Sequence, residues 1–240
     1  MDALSATGNS VTVRDDAAAV AWWVLVGAAA GAIAGALVGG VGGRLAMLLL
    51  RLTSPDAVTG MISDDGFEIG VVTLDTLQLT AATAMLGAIN GVLYAALRGA
   101  IPARLRLPLW TAFAAALGGA SIVHEDGVDF TQLEPVALAV ALFVVLPGAA
   151  AALVVLLVER WTRVAPWADP RLSVGICVAA LAGTFALAVA ALVAVGALVL
   201  RRIGLPRRVA PVARVVVPAA LAIVTLVSAW ALVAKSARLI

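Results

Sequence analysis

The chain has 240 residues, 63% of them hydrophobic and only 12% charged, with a formal net charge of +2 and a mean hydropathy of +1.11. A soluble domain carries about 25% charged residues, so this composition excludes a water-soluble globular protein and describes an integral membrane one. A crossing helix needs about 20 mainly apolar residues. Six stretches meet or approach that length: 20–43 (helical to 52), 77–97, 107–123, 135–158, 172–200 and 215–234. The fold expected is therefore an all-α membrane protein of six transmembrane helices, a single domain over 20–240 preceded by a short segment, 1–19.

That first segment carries Asp2, Asp15 and Asp16 against Arg14. This is not the positive start of a secretory signal, so the segment is expected to be retained. The first span holds Gly27, Gly31, Gly35, Gly39 and Gly43 at intervals of four, which puts them on one stripe of a helix. In a bilayer such a stripe lets another backbone approach closely. The helix then runs through Arg44 and Arg51, seven apart and on one face, before 53–55 (Thr-Ser-Pro) stops it.

An acidic turn follows, with Asp64, Asp65, Gly66 and Glu68, where Asp-Gly signals a tight turn. Span two carries Thr83, Gly87, Gly91, Ala95 and Gly99, again every four residues. That stripe is the natural mate of the glycine face in span one, and a close hairpin is expected. Asn90, beside it, is expected to hydrogen-bond across a helix contact. Span three is the shortest and contains Gly118-Gly119. Read as a re-entrant segment it would invert everything downstream. It leads into a second acidic turn with His124, Glu125, Asp126, Gly127 and Asp129, then into span four. The first four spans thus read as a tandem repeat of two helical hairpins, 20–98 and 107–160, both acidic turns on one side. Pro147-Gly148 is expected to kink span four.

If all six segments cross, the N-terminus, the 98–106 and 159–171 loops and the C-terminus share one face. That face holds nine basic residues (Arg14, Arg98, Arg104, Arg106, Arg160, Arg163, Arg171, Lys235 and Arg238). Seven face them: Arg44, Arg51, Arg201, Arg202, Arg207, Arg208 and Arg214. All six Trp residues fall at the first face, where indoles sit among headgroups. Both biases favour N- and C-termini in the cytoplasm, and the high Ala and Arg with low Lys content suggests a bacterial source, hence a bacterial cytoplasmic membrane. The basic 201–208 connection would then lie outside, against the rule.

The candidate polar site is a layer of opposite charge at the other face: Arg44, Arg51, Asp64, Asp65, Glu68, His124, Glu125, Asp126 and Asp129. It reads either as a cation site or vestibule with His124 as a pH-sensitive member, or as solvated charge neutralised at the headgroups. One His and one Cys, Cys177, cannot supply a usual zinc site. The first acidic turn lacks the alternating ligands of a calcium loop, and no phosphate-binding glycine loop or serine-nucleophile motif is present. The sequence assigns neither a cofactor nor a metal, and a cation at the acidic turns stays open. Gly42-Gly43-Arg44-Leu45-Ala46 leading to 63–67, followed by 124–130, resembles an uncharacterised family of bacterial polytopic integral membrane proteins; that resemblance implies no activity.

Three functional readings follow. The first is an accessory or assembly subunit docking its glycine faces on partner membrane chains or on a second copy. The second is a small-solute transporter, or the substrate-binding membrane subunit of one, with a polar vestibule formed by the acidic turns. The third, a membrane enzyme using His124 with Asp126, has the least behind it. The bilayer is a partner in all three, and nucleic acid in none.

Overall fold

Inside lipid no water satisfies a free N–H or C=O, so a long apolar chain segment closes its hydrogen bonds as helix. The computed structural model describes residues 13–55, 60–63, 66, 75–163 and 205–239, and every regular element among them is helical. The long elements are α1 (Val13–Ala34), continued by a π-helical stretch (Gly35–Gly42) and α2 (Gly43–Thr53), α3 (Asp75–Leu97), α4 (Arg106–Ile122), α6 (Val136–Trp161) and α7 (Leu205–Leu239). A short α5 (Val128–Thr131) lies in the second acidic turn. Five helices among these residues are long and apolar enough to cross a membrane. The sixth expected span, 172–200, lies outside the described residues.

The first helix does not break at its π stretch, since Ala34 and Gly42 both keep right-handed helical dihedrals. It packs antiparallel on α3, backbone against backbone. A Cβ built on Gly27 would stand 2.6 Å from the Gly91 carbonyl oxygen, while those on Gly31 and Gly35 would strike the carbonyls of Gly87 and Thr83. The π turn then changes the register. Its wider turn points both Gly39 and Gly40 at α3, against Thr83 and Thr80, and swings Gly42 toward Leu146. Gly43 ends up with nothing within 4 Å of its Cβ position. The stripe read from the sequence therefore loses its last member, because one wide turn breaks four-residue spacing.

The second pair, α4 and α6, is also antiparallel. Gly118 faces Pro147, Gly119 faces Val144, and Gly148 faces Ala115. Helix α4 runs unbroken through Gly118-Gly119, and α6 runs on through Pro147. The two pairs share a core of Trp22, Val26, Tyr94, Trp110, Val154 and Val158. A smaller cluster of Leu50, Val123, Phe130, Leu133 and Ala139 closes the acidic-turn end. There the first helix is tied to the start of α6: Thr53 Oγ1 donates to the Glu134 carbonyl (2.6 Å), and the Glu134 N–H donates to Ser54 Oγ (2.7 Å).

Helix α7 corrects the expected topology. Lys235 Nζ donates to the carbonyls of Ala120 (2.7 Å) and Val123 (3.0 Å), and Arg238 Nη1 donates to Glu125 (3.0 Å). The last helix therefore runs parallel to α4 and ends beside the second acidic turn. The start of the first helix lies at the other end of the bundle, where the Arg98 guanidinium stacks 5.4 Å over Trp23. The described start of the first helix and the described end of α7 therefore lie at opposite ends of the bundle. Three things decide this: the open carbonyls at the end of α4 want a cation, Lys235 supplies one, and Leu232 packs on Gly119.

The reversal also redistributes charge. Among the described residues, Arg14, Arg98, Arg104, Arg106, Arg160, Arg163, Arg207, Arg208 and Arg214 lie toward the Arg98 end, and Arg44, Arg51, Lys235 and Arg238 toward the other. The tryptophans are corrected as well. Trp22 and Trp110 are core residues rather than headgroup anchors, and Trp230 lies in the half of α7 nearer the acidic turn.

Candidate functional site

The polar layer anticipated from the sequence is only partly visible. Asp64, Asp65 and Glu68 lie outside the described residues. Gly66 is the glycine of their turn: its φ of +80° is one that glycine adopts without strain, and its N–H donates to the Ser63 carbonyl (2.9 Å). In the second turn His124, Glu125 and Asp126 are exposed while Asp129 is buried. Glu125 is engaged by Arg238, and His124 Nδ1 lies 2.7 Å from the Ile122 carbonyl of its own segment. Arg51 closes the last turn of α2, half-buried. Among the described residues no group of His, Cys, Asp and Glu could hold a metal ion.

The larger feature lies between the two hairpins. A cavity of about 700 Å³ runs along their junction, walled by the π stretch, α2 and α3 on one side and by α4 and α6 on the other. Leu48, Leu86, Phe113, Leu117, Leu146 and Pro147 form its apolar walls, and Arg44 is the one ionised side chain among the described residues lining it. Arg44 is itself engaged within the protein, and so are the other polar groups along the groove. Thr83 Oγ1 donates to Leu79 and Thr80 carbonyls (3.0 and 3.1 Å), Ser121 Oγ to Leu117 (2.8 Å), and Asn90 Oδ1 accepts from Trp110 Nε1 (3.0 Å). Asn90 thus both bridges helices and borders the cavity. A wall whose hydroxyls bond back to their own helices offers a ligand mostly van der Waals surface.

A second constellation was not read from the sequence. Near the Arg98 end, the Glu159 carboxylate of α6 gathers donors from the end of α3 and the start of α4. Tyr94 Oη donates to Oε1 (2.8 Å), Arg98 donates through Nε (3.0 Å) and Nη2 (3.1 Å), and Arg106 Nη1 reaches both oxygens (3.2 and 3.1 Å). The arginine side chains are 13% and 22% exposed and Glu159 21%, against 67% and 41% for Arg238 and Glu125. Charge-assisted and bidentate, this node locks both hairpins together. One signal was available: Tyr94, the only Tyr, and Arg98 stand four apart on one face, and Glu159 is the one acid inside 136–161.

Comparison of the chain with family models, with curated proteins and with solved structures returns no match. The class defined by the fold is an all-helical protein with five described helices long and apolar enough to cross a membrane.

Proposed function

We propose that this is a multi-pass membrane protein that takes an amphipathic, mainly apolar small molecule into the groove between its two hairpins, as a carrier or as the substrate-binding membrane subunit of a transporter. The cavity of about 700 Å³, with Arg44 near one end and committed hydroxyls elsewhere, carries this reading. It replaces a polar vestibule with a greasy one, suited to an apolar body bearing one anionic group. The two hairpins are proposed as duplicated units, supported by two antiparallel pairs that turn at the same end. On composition, 172–200 is proposed as a further membrane segment. The Arg-rich end is proposed as cytoplasmic, in a bacterial cytoplasmic membrane, since Lys and Arg counts orient such chains.

Two measurements test the groove. Native mass spectrometry from gentle detergent should reveal a bound amphipathic mass. An environment-sensitive anionic fluorophore with an apolar body should bind, and Leu117→Trp should weaken it about tenfold, ~1.4 kcal/mol, with unchanged melting. Leu117 is 41% exposed, so a larger ring there fills the groove without disturbing the core. No co-purified ligand and no binding across a panel of amphipathic anions would remove the reading.

The second reading, an accessory or assembly subunit, is favoured by the outer face of α7. Val215, Leu226 and Trp230 stand 70%, 69% and 76% exposed there, and a partner helix could cover them in place of lipid. Its docking face is not the glycine stripe, because Gly27, Gly31, Gly35, Gly87 and Gly91 face one another within the chain. Co-purification of a stoichiometric membrane chain in mild detergent would favour this reading over the first.

A further inference from the structure

We propose that the notch between the start of α4 and the end of α6 is a binding site for the phosphate of an anionic phospholipid, distinct from the groove. A cavity of about 500 Å³ opens there, edged by Arg106, Arg160 and Arg163 above and by Leu107 and Leu156 below. The carboxylate of Glu159 does not cancel this charge. Its two oxygens accept five hydrogen bonds from Tyr94, Arg98 and Arg106, and one negative charge is shared by two guanidinium groups.

Arg106 is held rigidly for the task. Its Nη1 lies on Glu159 and its Nε donates to the Ile101 carbonyl (3.2 Å), while Nη2 makes no bond among the described residues. Arg160 and Arg163 are exposed and meet no carboxylate among the described residues. Three guanidinium groups around one notch match the oxygens of a phosphate, which planar forks hold by paired bonds.

The apolar floor decides the source of that phosphate. Leu107 and Leu156 are 41% and 56% exposed and continue from the notch along the outer surface of α4 and α6. A soluble phosphate has no use for them, whereas an acyl chain extends along them. Basic pockets between membrane helices recognise anionic headgroups in this way.

The test uses the full chain in mild detergent, titrated with dioleoyl phosphatidylglycerol, with dioleoyl phosphatidylcholine and with soluble glycerol 3-phosphate, read by thermal unfolding and by native mass spectrometry. Phosphatidylglycerol is expected to raise the melting temperature and remain bound in the mass spectrum, and the other two probes to do neither. The Arg160→Gln/Arg163→Gln variant should bind it about thirty-fold more weakly. Arg104→Gln, exposed at the same end but outside the notch, should bind like wild type. An equal effect of glycerol 3-phosphate would overturn the lipid assignment, and an equal effect of phosphatidylcholine the role of charge. An equal loss in Arg104→Gln, or none in the double variant, would overturn the site.

Discussion

The two hairpins solve the same packing problem by different means. In α1–α3, glycine faces glycine, so the contact is made by carbonyl oxygens and Cα atoms that cannot rotate away. In α4–α6, glycine faces a side chain: Gly118 meets the ring of Pro147, and Gly148 meets the methyl of Ala115. Lipid is as apolar as Leu, so neither hairpin is held by a hydrophobic gain; close van der Waals packing and polar ties hold both. The difference teaches that the glycine-on-glycine contact of the first hairpin tolerates no added atom, while the second has side chains that can yield.

The largest expected effect breaks the first hairpin. In Gly31→Ala the new methyl would strike the Gly87 carbonyl, with no side chain able to move aside. A loss of at least ~3 kcal/mol is expected, seen as a collapse of the melting transition in detergent. Glu159→Gln comes next, because it releases the node between hairpins and leaves Arg98 and Arg106 facing each other partly buried. A cost of about 3 kcal/mol follows from breaking such a pair, measurable as a lowered unfolding midpoint. Gly118→Ala should cost about 1–2 kcal/mol by the same measurement, since its methyl would stand 2.7 Å from a Pro147 ring carbon and the two helices can part slightly. Gly43→Ala sharpens the comparison from the other side. With nothing within 4 Å, it should be neutral or stabilise by up to ~1 kcal/mol through helix propensity. A Gly43→Ala loss comparable to that of Gly31→Ala would show that the stripe continues past the π turn.

Part of this was legible in the chain itself. Gly27, Gly31 and Gly35 with Thr83, Gly87 and Gly91 announce two small-residue stripes, because four-residue spacing maps directly onto a helix face. The groove was not legible. Its walls bring together the π stretch, α2, α3, α4 and α6, and most of its apolar surface comes from ordinary Leu, Phe and Pro side chains that no motif marks. The Glu159 node was missed for a related reason: its donors lie 65, 61 and 53 residues away, and in the sequence Arg98 and Arg106 look like ordinary loop cations. Regular four-residue spacing also could not foretell the π turn, since Gly39, Gly40, Gly42 and Gly43 all permit either register.

Composition and periodicity alone settle that the chain is helical with segments long and apolar enough to cross a membrane, and which strips of its helices carry small residues, because hydrophobic length and helical pitch are local properties. The direction of α7, the place of Trp22 and Trp110, the gathering of charge at one end and the cavity between hairpins belong to the tertiary structure. Each depends on which helix lies beside which. That choice is made by contacts between residues far apart in the chain, such as Lys235 with the Ala120 carbonyl and Glu159 with Arg98.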